Sequence, residues 1–74
     1  MEFNDGIFAA ARRASGMTQE TAASICGVSR PTYNLREGSP AEFHLGDLVA
    51  LYSRMDGPGR KLLREGICSL FLTN

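Results

Sequence analysis

The sequence has two cysteines, one histidine, no long apolar run and no net charge, and each scarcity removes a class of protein. Cys26 and Cys68 stand in no metal-ligand spacing, and although a single disulfide is possible, nothing in the spacing requires one. His44 follows Phe43 in a loop, where a solvated or capping role suits it better than catalysis. No paired acids, phosphate-cradling glycine loop or nucleophile–base set accompanies it, so the expectation is a protein that is not an enzyme and carries no cofactor or metal. The longest apolar runs, Ile7 to Ala11 and Leu48 to Tyr52, fall far short of the roughly 20 residues a membrane-spanning helix needs. Nothing at the start reads as a secretory leader, and the expected location is cytoplasmic with reduced thiols.

What is present is one domain's worth of chain, over residues 1–74, with apolar residues enough for a modest core. A core this small is thinly stable, and with no staple in view self-association is the expected supplement. The zero net charge hides an uneven distribution. From Gly6 to Arg36, Arg12, Arg13, Arg30 and Arg36 face only Glu20, a net +3; the rest of the chain is −3. A basic first half suits a protein that turns one face to an anion.

Caps and helical periodicity divide the chain into five helices with no competing strand. Asn4 or Asp5 can cap a first helix carrying Ile7, Ala10, Ala11 and Ala14, which Gly16 ends in the left-handed conformation. Thr18 caps a second helix that runs to Cys26 with Ala22, Ala23 and Cys26 inward, and Gly27 stops it. Ser29 caps a third over Arg30 to about Glu37. Pro31 is tolerated in its first turn and leaves the Thr32 N–H as the partner of the Ser29 hydroxyl. After a loop at residues 38–44, a fourth helix from about Leu45 to Arg54 is expected to bury Leu45, Leu48, Val49 and Tyr52. Asp56-Gly57-Pro58-Gly59 reads as a turn before a last helix over about 58–72. At about 100° per residue that helix gathers Leu62, Leu63, Ile67, Leu70 and Phe71 on one face, with Cys68 and Leu72 opposite.

The second and third helices, joined by Gly27-Val28-Ser29, have the layout of a helix-turn-helix over about 18–37. Glycine makes the tight left-handed step, Val28 plugs the angle between the helices, and Ala23 keeps their crossing close. Together with Arg12, Gly16, Met17-Thr18-Gln19-Glu20, Glu37 and the apolar helix from Leu45 to Tyr52, these residues make the chain resemble the lambda-repressor/Cro-like (XRE) family over about Gly6 to Tyr52. The resemblance implies an all-α, five-helix DNA-binding domain whose third helix enters the major groove while the second crosses the phosphate backbone.

It further implies that Gln19 meets phosphate, that Ser29, Arg30, Pro31 and Asn34 face the groove, and that Arg12 and Glu37 form a structural ion pair. Arg30 is the best candidate for reading a base, since arginine bonds guanine bidentately. Pro31 either touches a thymine methyl or only stiffens the first turn. Asn34 either bonds adenine or faces water. Arg13 is an exposed charge near phosphate, and Tyr33 belongs to the core.

Three features depart from the family. Arg36 stands where an apolar residue is common, so it snorkels outward or the helix ends differently. Gly38 comes one residue early. The loop from Ser39 to His44 carries Glu42 and no lysine or arginine to clamp phosphate. Leu63, Ile67, Leu70 and Phe71 offer a dimer contact. The function implied is sequence-specific binding of double-stranded DNA by a small homodimeric transcriptional regulator, with repression the expected mode. The alternative is a protein-interaction module of the same fold, such as an antitoxin-like partner.

Overall fold

A computed structural model describes residues 6–72, all within helices and the short segments between them, with no strand among the described residues. The helices are α1 (Ile7–Ala14), α2 (Gln19–Cys26), α3 (Arg30–Gly38), α4 (Leu45–Arg54) and α5 (Gly57–Leu72), with one 3-10 turn at Pro40–Glu42. Gly6, in the left-handed region at φ 80°, occupies the cap position of α1, and Asn4 and Asp5 lie outside the described residues.

Local chemistry sets the other helix ends. The Thr18 hydroxyl accepts the Thr21 N–H at 3.0 Å and the Ser29 hydroxyl accepts that of Thr32 at 3.3 Å, each closing one orphan donor of a first turn. Gly16 and Gly27 take φ values of 73° and 72° just past α1 and α2, where a side chain would be strained. The Val28 N–H then returns to the Ala23 carbonyl at 3.0 Å, so the chain leaves α2 and enters α3 within three residues.

The core runs through all five helices. Phe8 and Ala11 of α1, Ala22 and Ala23 of α2, Tyr33 of α3, Leu48 and Leu51 of α4, and Leu63 of α5 are buried, with Phe43 and Met55 from the connections. Phe43 sits between two rings: its centroid lies 5.3 Å from Phe8 and 5.8 Å from Tyr33, the latter edge-on. Helix α5 lies close along α1 because Gly59 and Gly66 face it. A Cβ on Gly59 would collide with Ser15 Oγ, and one on Gly66 would come within 3.0 Å of Ile7 and Phe8.

Two helices present faces other than those expected. In α4, Leu45 and Val49 are exposed, at 77% and 61%, and Tyr52 is half-buried, while Leu48, Leu51 and, beyond the helix, Met55 point inward. The turn of the helix follows Asp47, which is buried against Arg36 and brings its neighbours Leu48 and Leu51 to the core. In α5 the inward stripe is Gly59, Leu63 and Gly66, flanked by half-buried Leu62, Ile67 and Leu70; Phe71 is 77% exposed. Leu63 is therefore a core residue of the single chain and offers no dimer contact. Residues 57–59, expected as a turn, already belong to the first turn of α5, whose Gly59 N–H lies 3.4 Å from Asp56 Oδ1.

Candidate functional site

One continuous polar network ties α1, α2 and α3 together and sets what their outer surface presents. Arg12 Nε donates to Glu37 Oε2 at 2.7 Å, with both side chains under a tenth exposed. A second nitrogen of the guanidinium donates to the Met17 carbonyl at 3.0 Å, holding the segment that enters α2. Burial alone would raise the Glu37 carboxyl, but hydrogen bonds from Arg12 and Tyr33, the Arg12 charge and a bond from Gln19 outweigh it and hold the group below the ordinary carboxylate range. Burial, with the hydrogen bond and charge of Glu37 added to it, pushes the Tyr33 hydroxyl well above its usual value.

Gln19 belongs to this network. Its Nε2 lies 3.4 Å from Glu37 Oε1 and 2.8 Å from Asn34 Oδ1. The Glu37 carboxylate can only accept, so the Gln19 amide must turn its nitrogen inward. That nitrogen is then engaged and is not free to donate to an outside anion, as the sequence had suggested for the Gln19 side chain. The N–H groups of Gln19 and Glu20, at the open end of α2, have no partner among the described residues.

The exposed face of α3 carries Arg30, Pro31, Asn34 and Leu35. Ser29 is exposed too, but its hydroxyl is used locally: it accepts from the Thr32 N–H and donates to Thr32 Oγ1 at 3.0 Å. Two shallow concavities meet at this face. One is lined by Arg13, Thr18, Gln19, Glu20 and Arg30, the other by Ala9, Arg13, Gln19, Asn34 and Leu35. Arg13 and Gln19 border both. Two free arginines beside a helix N-terminus can hold an anion, and the row of α3 side chains can project into a groove.

The basic half is less basic than its arginine count suggests. Arg12 is spent on Glu37, and Arg36 donates to Asp47 Oδ2 at 2.7 Å, with the two side chains 16% and 10% exposed. Arg36 thus neither snorkels nor ends the helix. It joins α3 to α4, where Asp47 also accepts the His44 N–H at 3.1 Å. Sequence reasoning left Asp47 aside. The signal was there in Arg36 itself, a charge at an apolar position that needs an acid nearby.

Ile67 and Leu70 are half-buried and Phe71 is exposed, and with Pro40, Leu45 and Leu48 they line an apolar groove between the 3-10 turn, α4 and α5. Cys26 and Cys68 are both free thiols; burial, with the nearby Asp47 charge, pushes Cys26 up to about 11. No helix among the described residues is long and apolar enough to cross a membrane, and no three His, Cys, Asp or Glu side chains gather there in a metal-binding group. No family model, curated protein or solved structure matches the chain.

Proposed function

We propose that the chain is a helix-turn-helix protein of the lambda-repressor/Cro-like type that binds double-stranded DNA sequence-specifically and acts as a small transcriptional regulator. One observation carries the reading: α2 and α3 meet through a three-residue turn, and the Arg12–Glu37 pair locks both to α1 while the outer face of α3 stays open. A helix with its side chains is about 10–12 Å across and the major groove about 12 Å wide, so α3 can enter it side on. Arg30 and Asn34 then face base edges. Arg13 and the free N–H groups at the start of α2 take phosphates on either side. Gln19 contributes through its backbone and by orienting Asn34.

The salt dependence of duplex binding tests this. With Arg13 and Arg30 as the cations of this face that have no ion-pair partner among the described residues, each protomer neutralises about two phosphates, so log K against log[salt] should fall with a slope of about −2 per protomer. Arg30→Ala should cost about 1–3 kcal/mol on a selected site and flatten discrimination at one base pair. Absence of salt-dependent binding to any duplex would reject the reading.

A specific observation favours a second component. Leu45 and Phe71 are exposed apolar side chains on the walls of the groove that the 3-10 turn, α4 and α5 form, and Val49 and Leu72 of the same two helices are exposed as well. A second copy of the chain covers such a face most simply, and a homodimer presents two α3 helices to two half-sites. If duplex binding is absent, this same face becomes the reason to read the chain as a protein-interaction module, with the antitoxin of a toxin pair as the model partner.

A further inference from the structure

We propose that Asn34 and Leu35 together read a single thymine, Asn34 donating to its O4 and Leu35 covering its 5-methyl group. The inference rests on the DNA-binding reading above and assigns a base to part of that surface.

The orientation of the Asn34 amide is dictated from inside the protein. Arg12 holds Glu37, and Glu37 accepts from Gln19, which turns Gln19 Nε2 toward Asn34. A nitrogen donor meets only an oxygen, so Oδ1 of Asn34 faces Gln19 and its Nδ2 points away, without a partner among the described residues. Asn34 therefore offers donors outward. The paired donor and acceptor that bond adenine bidentately would need Oδ1 as well, which Gln19 already occupies. The adenine alternative raised by the sequence loses its support.

Leu35 supplies the other half. It is 72% exposed, on the outer face of a helix whose buried residue is Tyr33. It lines the same concavity as Asn34 and Arg13, and the Arg13 guanidinium would draw a phosphate backbone to that side of the helix. In the major groove only thymine places a hydrogen-bond acceptor beside a methyl group. Cytosine shows a donor there, guanine two acceptors without a methyl, and adenine an acceptor with a donor. A donor next to an apolar side chain is the complement of thymine alone.

The experiment selects duplexes from a random pool with the full chain and then replaces each recurring thymine singly. Uracil keeps O4 and removes the methyl; 5-methylcytosine, with guanine placed opposite to keep the pair, keeps the methyl and turns the acceptor into a donor. At one position uracil should weaken binding by about fourfold, the worth of one buried methyl, and 5-methylcytosine by about tenfold or more. Leu35→Ala should bind thymine and uracil equally at that position, and Asn34→Ala should lose the discrimination against 5-methylcytosine. Gln19→Ala, which frees the Asn34 amide to turn over, should shrink the 5-methylcytosine penalty and leave the uracil penalty in place. Both α3 positions are exposed, so the variants keep the fold, which circular dichroism checks. If duplexes are selected but no thymine responds to uracil, or Leu35→Ala discriminates as the parent does, the thymine assignment falls and the DNA-binding reading stands. If no duplex is enriched and binding shows no salt dependence, both fall together.

Discussion

Arg12 and Glu37 stand 25 residues apart in the chain and 2.7 Å apart in space, each nearly out of solvent, and between them they also hold the Met17 carbonyl and the Gln19 amide. A buried pair of this kind contributes little over a well-packed apolar pair, but losing one member leaves the other charged and without a counterion. Glu37→Ala should therefore cost about 3–5 kcal/mol, read as a lower urea midpoint with unchanged slope. Arg12→Met/Glu37→Leu should recover part of that loss. Equal stability of Glu37→Ala and the parent would remove the lock from the account of the fold.

The same carboxylate sets an acid limit. Its folded value lies below the ordinary 4.5, so the unfolded chain binds the proton more readily. The stability it contributes is complete above about 4.5 and is lost as pH falls through the lower folded value. Unfolding midpoints measured at pH 6 and at successive steps below pH 4.5 should drop steeply in the parent and less so in Glu37→Gln, which has no proton to gain.

Helix ends were legible in the sequence because near neighbours decide them. Thr18, Ser29, Gly16 and Gly27 each act within a few residues of where they stand. The facing of α4 was not, because Leu45 and Val49 are as apolar as Leu48 and Leu51. What turns the helix is Asp47, buried against an arginine 11 residues earlier. The ion pair of Arg12 and Glu37 was legible through the family resemblance, whereas the Gln19–Asn34 bond was not. It depends on which way an amide points, and that follows only from the carboxylate behind it. Leu35 escaped notice for a simpler reason: periodicity finds apolar residues that point inward, and this one points out.

Two classes of helical glycine make a sharp comparison. A Cβ on Gly59 would lie 3.0 Å from the Ala11 carbonyl of α1 and 3.1 Å from Cβ of Ser15, which caps the end of α1, so α1 and α5 would have to separate. Gly59→Ala should cost about 1–3 kcal/mol despite its better helix propensity. Gly46, in the first turn of α4, has open space around its missing side chain and an ordinary φ. Gly46→Ala should raise stability by up to about 1 kcal/mol. Denaturant midpoints of the two variants should move in opposite directions.

Self-association can be separated from folding within one helix. Leu63 is 1% exposed and Phe71 77%, although both belong to the apolar face of α5 that the sequence offered as a dimer contact. Leu63→Asp buries a charge in the core and should unfold the chain, with loss of helical circular dichroism whatever its oligomeric state. Phe71→Asp places its charge at the edge of the groove between α4 and α5, where the single chain loses little packing. It should keep the parent's helical signal and melting temperature at low concentration. If a second copy covers this groove, sedimentation should show the parent as a dimer at micromolar concentration and Phe71→Asp as a monomer, with Leu45→Asp behaving alike from the opposite wall. The melting temperature of the parent alone should then rise with concentration, since association draws the folded state forward by mass action. A parent chain that sediments as a monomer at high micromolar concentration would reject the homodimer and leave the groove to a different protein.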